Sequence, residues 1–270
     1  MTDRSIPLYG TVVETVRLAP RLVRVVLGDP GLGPYVPSDF TDQYVNALFL
    51  PCGAPYTPPF DLEEARTLPA EERPLGRRYT IRWWDPEHRR LAIDFVVHGD
   101  VGRAGRWAAN ARPGDRLQFI GPHGSYAPST TADWHLLAGD ESALPAIAAA
   151  LEQIRSGVPV LAFLVVDAPG HEIELDCPGD LRVDWVHRES SPGVDAVVAP
   201  IAGAVFPAGT PDVFVHGEAA EVRAVRRHLL TERGIARDGT SISPYWRRGM
   251  DDEAWREVKR EWVAEVARDA

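Results

Sequence analysis

The segment Arg77-Arg78-Tyr79-Thr80-Ile81-Arg82 sets a cation, an aromatic ring and a hydroxyl side by side at positions 78, 79 and 80. A flavin nucleotide calls for those three groups: a cation for its phosphates, a flat surface against its ring system and a polar atom near the reactive nitrogen N5. A half-exposed edge strand with solvated arginines has the same composition, so the segment by itself leaves both readings open.

A second segment, Asp94-Phe95-Val96-Val97-His98-Gly99-Asp100-Val101-Gly102-Arg103-Ala104-Gly105-Arg106-Trp107-Ala108, ends a strand in a glycine-rich turn that opens a helix. Exposed N–H groups over 102–104 suit a pyrophosphate, and Arg103 adds charge. Any strand–turn–helix junction also uses glycine, and a single histidine such as His98 is more often a structural hydrogen-bonding group than a ligand or base. The third segment is Ala138-Gly139-Asp140-Glu141-Ser142-Ala143-Leu144-Pro145-Ala146. Its small residues let a dinucleotide approach the end of a strand, where Ser142 caps the following helix or donates to a phosphate. Asp140 and Ser142 also read simply as caps, and the G-x-G-x-x-G fingerprint is not there.

Absent motifs remove other chemistries. His171-Glu172 does not continue into H-E-x-x-H, no G-x-x-x-x-G-K-[ST] occurs, and neither Ser125 nor Ser142 lies in a nucleophile elbow. Metalloprotease, P-loop and hydrolase activities are not supported.

These residues need elements to hold them. Short β-branched runs at 9–18, 22–27, 43–50, 79–84, 91–98 and 116–120 predict a barrel or sandwich. Residues 51–76, with Pro55, Pro58, Pro59, Pro69 and Pro74, read as a long excursion with a short helix over 61–68. A helix is expected over 102–109. After a linker-like stretch at 125–130 the pattern becomes α/β: strands at 134–138, 158–166, 181–186 and 212–216, helices to about 154, at 195–202 and at 219–233. Residues 251–267 predict a final helix that packs through Trp255, Val258, Trp262, Val263 and Val266.

The chain has 270 residues, room for two cores, and an ordinary globular composition of 44% hydrophobic and 25% charged residues. Its net charge is -10 and Lys259 is the only lysine, which argues against a duplex nucleic-acid binder. Cys52 and Cys177 lie far apart and form no C-x-x-C pair, so neither a disulfide framework nor a structural zinc site is expected. The first residues hold no apolar signal core and no apolar run is long enough to span a bilayer, so a cytoplasmic protein without membrane insertion is expected.

Taken in order, Arg78-Tyr79-Thr80-Ile81-Arg82, Asp94-Phe95-Val96-Val97-His98-Gly99, Gly102-x-Ala104-x-x-Trp107-Ala108, Gly139-Asp140-Glu141-Ser142-Ala143-Leu144-Pro145 and Tyr245-Trp246-Arg247-x-Gly249 cover most of the chain. The ordered set resembles the ferredoxin-reductase-like flavoproteins and, within them, the siderophore-interacting proteins. The resemblance implies an N-terminal antiparallel Greek-key β-barrel that binds FAD, over 1–128, and a parallel-sheet α/β domain of nicotinamide type with a C-terminal helix, over 129–270. It implies FAD-dependent reduction of ferric siderophores to release Fe(II), with NADH, NADPH or reduced ferredoxin as electron donor and ferredoxin as a possible partner. A flavin reductase or oxygenase-reductase component, and a non-redox siderophore carrier, are the alternatives.

By the same resemblance, Arg78, Tyr79, Thr80 and Ile81 bind the flavin mononucleotide half, with Thr80 near N5. Asp94, Val96, Val97, His98, Gly102, Arg103 and Ala104 hold the pyrophosphate and adenosine. Asp140, Glu141 and Ser142, with Gly217 and Glu218, line the nicotinamide-side cleft, and Asp140 and Ser142 also reach the cofactor. Trp246 approaches that cleft from the C-terminal side. Arg82, Arg247 and Arg248 are candidates to attract an anionic ferric siderophore, or are ordinary surface arginines. Two departures from the wider superfamily stand out: His216 precedes Gly217 where many ferredoxin reductases carry cysteine, and no terminal aromatic residue shields the flavin.

Overall fold

The β-branched runs of the first half form β1 (Leu8–Ala19), β2 (Leu22–Gly28), β3 (Tyr44–Phe49), β4 (Leu75–Asp85), β5 (Arg90–Val96) and β6 (Arg116–His123). The structure is a computed structural model that describes residues 8–97 and 102–266, and the chain divides into two compact units, 1–125 and 126–270.

In the first unit the six strands close into an antiparallel barrel in the order β1-β2-β5-β4-β3-β6. Alternation along each strand sends one set of side chains inward. Val23, Val25 and Leu27 of β2 meet Leu91, Ile93 and Phe95 of β5 and Leu117 and Phe119 of β6 in a dry core. Helix α1 (Leu62–Thr67) lies in the proline-rich excursion and is capped by Asp61, whose carboxylate accepts the amides of Glu63 and Glu64 at 2.9 and 3.2 Å. The buried Gln118 amide pins that excursion to β6: it accepts from Phe60 N at 2.8 Å and donates to Phe60 O at 2.9 Å. Helix α2 (Arg103–Asn110) follows the glycine turn, and Trp107 seats it on Phe49 and Phe95, each at a ring-centroid distance of 5.8 Å.

The second unit holds five parallel strands in the order β11-β10-β7-β8-β9: β7 (Trp134–Asp140), β8 (Pro159–Val166), β9 (Asp180–His187), β10 (Pro211–Glu218) and β11 (Thr240–Trp246). Helices α3 (Leu144–Leu151), α4 (Asp195–Gly203), α5 (Ala219–Arg227) and α6 (Asp252–Val266) accompany them. The continuous apolar run of β8 is buried on both faces, as a sheet covered on two sides requires.

Two elements depart from expectation. Strand β11 is not expected from a segment containing Pro244, because proline removes a ladder donor; it is tolerated here because β11 is an edge strand. The helix expected over 219–233 stops as α5 at Arg227 and continues as a wider π-turn, His228–Glu232. Helix α6 packs as expected through Trp255, Trp262, Val266 and Val258, the two indoles 5.7 Å apart edge to face and the Trp255 indole donating to Tyr245 O at 3.1 Å. Val263, expected on the same face, is exposed. Among the described residues no helix is long and apolar enough to cross a membrane.

Candidate functional site

In the first unit the candidate residues lie on β4 and at the start of α2. β4 pairs with β3 so that Thr80, Tyr79 and Arg78 stand opposite Tyr44, Val45 and Asn46. Arg78 is exposed, with its guanidinium 6.0 Å from the Tyr44 ring centroid. The Tyr79 ring is half-buried on Phe95 at 4.4 Å and on Phe49 at 6.0 Å. Thr80 and Ile81 point to opposite faces of the strand and both are buried. Arg82 sits at a bulge, where the β4–β5 register shifts between Ile81 and Trp83, and that shift turns it away from a regular ladder position.

Tyr79 and Trp107 share the aromatic pair Phe49 and Phe95, so β4 and α2 are fastened to one cluster at the same part of the barrel. Phe49 carries no chemistry in the sequence and is found only through this packing. At the N-terminus of α2, Gly102 adopts φ 81° and ψ 152°, a conformation glycine reaches without strain, and a Cβ there would meet nothing within 4 Å. Among the described residues no side chain caps this helix and its first turn holds no acid, while Arg103 occupies its first position and donates to Arg73 O at 3.3 Å. Ala104 is buried beneath that turn. Beside Arg78, Asn46 Oδ1 is buried without a hydrogen-bond partner among the described residues. An uncapped helix start, an exposed cation and an unanswered acceptor fit the phosphates and polar edge of a flavin nucleotide.

Asp94 has a different occupation. Both its oxygens accept from Arg24, from Nε at 2.6 Å and from Nη2 at 2.8 Å, a bidentate pair between β2 and β5 in which Asp94 is buried and Arg24 half-buried. Val96 pairs with Leu22, and Val97 N donates to Arg21 O at 2.8 Å. Expectations for His98 concern residues 98–101, which lie outside the described residues.

In the second unit the structure brings together the five residues expected around the nicotinamide, at the carboxyl ends of the strands. Asp140 ends β7, and its Oδ1 accepts from Ser142 N at 2.8 Å and Ser142 Oγ at 2.5 Å. Its Oδ2 accepts from Glu218 N at 2.9 Å and from the Trp246 indole at 2.7 Å. Gly217, with φ 141°, makes this approach possible, since a Cβ there would lie 2.9 Å from the Asp140 carboxylate. Glu218 ends β10 and caps α5 through the amides of Ala220 and Glu221, while its other oxygen accepts from Arg248 N at 3.0 Å.

The centre of this network is Arg188, immediately after β9. It donates to Glu141 at 2.6 Å and to Asp167 at 3.4 Å, and lies 3.5 Å from Asp140 and 3.8 Å from Glu221. Neither Arg188 nor Glu221 stands in a recognisable motif; the available signal was the position of Arg188 at the end of an expected strand. Burial alone would lower the Arg188 guanidinium, but Glu141, Asp140 and Glu221 outweigh it and hold it above its usual range. Burial also pushes the Glu141 carboxyl up against the pull of Arg188, and pushes Glu221 up to about 7. His216 lies between the rings of Phe214 and Tyr245, at 4.1 and 4.7 Å, and burial pushes it down to about 3, so it is neutral. Arg247 is half-buried and Arg248 exposed.

Residues 11–126 match the siderophore-interacting FAD-binding domain, and residues 132–249 match the siderophore-interacting protein model. The chain belongs to the siderophore-interacting protein family. It is 42% identical over 270 residues to an uncharacterised protein of Mycobacterium tuberculosis, covering 94% of this chain and 95% of that one. It is 34% identical over 266 residues to the ferric vibriobactin reductase of Vibrio cholerae, covering 96% and 97% of the two chains. The crystal structure of a siderophore utilization protein from T. fusca superposes with a TM-score of 0.76 at 35% identity, covering 90% of this chain and 94% of that one. This siderophore-interacting protein is an oxidoreductase, and its barrel followed by a parallel sheet has the ferredoxin-reductase-like fold.

Proposed function

We propose that the protein is an FAD-dependent ferric-siderophore reductase of the cytoplasm, fed by NADH, NADPH or reduced ferredoxin. The carrying observation is a start of α2 that carries Arg103 and, among the described residues, neither a side-chain cap nor an acid, beside the cationic β4 in a unit that matches the family's FAD-binding domain. End-to-end similarity to a ferric vibriobactin reductase supports iron as the electron acceptor.

Arg78 and Arg103 are assigned to the phosphates, where a fixed cation gains most from charge-assisted hydrogen bonding. Gly102 and Ala104 let the backbone amides of α2 approach a pyrophosphate. Tyr79 gives the ring system a surface already immobilised by Phe95, and the Thr80 hydroxyl is its polar neighbour. Bound FAD supplies the exchange between a two-electron hydride donor and one-electron iron. Fe(III) is held by hard oxygen donors that bind Fe(II) less tightly, so reduction loosens the metal. Arg82, Arg247 and Arg248, with Trp246, are the proposed substrate-attracting residues of a chain whose net charge is -10.

Anaerobic mixing of the flavin-loaded protein with reductant and a ferric siderophore, with a dye that traps Fe(II), tests the assignment. Fe(II) should appear as the oxidised flavin colour returns. Flavin reoxidation without Fe(II) would remove iron as the acceptor, and a colourless purified protein would favour a carrier.

A further inference from the structure

The apolar stripe of α6 runs through Trp255, Trp262 and Val266, and Val263 lies one residue, about 100°, round from Trp262, at the border of the stripe. On the strand it faces, alternation sets Thr240, Ile242 and Pro244 on one side of β11. These two elements and the end of α5 do not close on one another. A cavity of about 220 Å³ stays open between them, walled by Val222, Leu230, Ile242, Trp262, Val263 and Val266. The π-turn after α5 carries Leu230 to this wall, and such turns recur at functional positions. Leu230 and Ile242 are only half-buried and Val263 is 42% exposed, so the wall presents apolar surface that a ligand would remove from water. At roughly 30 Å³ per water-sized group, the space takes about seven methylene-sized groups.

Charge at the cavity has one sign. Among the described residues that line it, Arg226 and Arg237 carry charge and no acid does. Arg226 bridges α5 to the last turn of α6 by donating to Val266 O at 2.9 Å. Thr240 Oγ1 donates to Arg237 O at 2.7 Å, which pins the Arg237 backbone to the start of β11. The exposed Arg237 guanidinium itself makes no hydrogen bond or ion pair among the described residues. Two arginines beside apolar walls, in a chain whose net charge is -10, suit an anionic head on an apolar tail.

We propose that this cavity binds a medium-chain alkyl carboxylate, with its tail against Leu230, Ile242 and Val263 and its carboxylate on Arg237. The site lies wholly within the second unit and uses none of the residues assigned to the flavin, the electron donor or the iron substrate. It therefore stands apart from the reductase function.

Isothermal titration of the flavin-loaded protein with octanoate, octanol and octylammonium tests this, because the three share a tail and differ in the charge of the head. Octanoate should bind with a Kd of about 1 mM or below, octanol roughly tenfold more weakly, and octylammonium more weakly still. Arg237→Gln should weaken octanoate by roughly tenfold and leave octanol unchanged, whereas Val263→Asp should weaken both. Both positions are exposed, so the fold should survive either change. Octanol or octylammonium binding as tightly as octanoate, no octanoate binding at about 10 mM, or a folded Arg237→Gln variant of undiminished affinity overturns the proposal. Cosedimentation with phosphatidylglycerol vesicles in the absence of octanoate binding would assign this face to a membrane surface and overturn it as well. If a variant does not fold, the order of the three probes on the unaltered protein decides.

Discussion

The indole Nε1 of Trp246 donates to Asp140 Oδ2 at 2.7 Å, joining the end of β11 to the end of β7 across the intervening β10. The same oxygen accepts Glu218 N at 2.9 Å, so one carboxylate atom ties together the ends of three adjacent strands.

Trp246→Phe keeps an aromatic ring, though a smaller one, and removes one charge-assisted donor. It should lower unfolding free energy by about 1–3 kcal/mol. Asp140→Ala strands three donors as well and should cost more. A double variant should fall short of the sum, as read by denaturant titration, because both changes remove the same contact.

Gly217→Ala meets two obstacles at once: a backbone at φ 141° and a new Cβ 2.9 Å from the Asp140 carboxylate. A loss of about 2 kcal/mol or more in the second unit is expected. Thermal unfolding that matches the unaltered protein would show that the Asp140 approach is not tight.

Glu221 has a folded pKa of about 7, raised by burial above the ordinary glutamate value. Between the two values the folded state holds more protons than the unfolded state, so stability falls as pH rises through that window and levels off above it. Glu221→Gln should flatten this part of the stability–pH profile and raise stability above neutrality by on the order of 1–3 kcal/mol. A profile of unchanged slope between about pH 5 and 7 would remove Glu221 as the responsible group.

Arg24→Gln leaves Asp94 buried without its bidentate partner and should destabilise the barrel by roughly 3–5 kcal/mol. Chemical denaturation followed through barrel tryptophan fluorescence gives the measurement. A loss below about 1 kcal/mol would mean that the pair contributes no more than an exposed one.

Arg78→Ala should weaken FAD retention by roughly 10- to 100-fold, the scale of one charge-assisted phosphate contact. Flavin absorbance after gel filtration reads the occupancy. Full occupancy would take Arg78 out of the phosphate site.

Strand and helix periodicity made the barrel and most of the parallel sheet legible, because β-branched runs and apolar stripes report burial directly. Strand β11 was hidden by Pro244, a residue whose cost depends on whether the strand lies at an edge. The glycine turn and the Arg78-Tyr79-Thr80 run were legible as local chemistry. Asp94 looked equally available until the strand register set Arg24 opposite it. Arg188 was invisible for a related reason: its four acidic neighbours come from distant parts of the chain, and only the parallel stacking of strand ends collects them.

The two units protect themselves from aggregation differently. A closed barrel leaves no open ladder, whereas β9 borders the parallel sheet and pairs with β8 alone among the described residues. Along β9, Asp180, Arg182 and Asp184 recur at every second position. A strand from another molecule would have to desolvate those charges to extend the sheet, and at the opposite border the Trp255 indole of α6 already takes the Tyr245 carbonyl of β11. Protection against edge-to-edge association is therefore topological in the first unit; in the second it falls to charges on one border and a helix contact on the other.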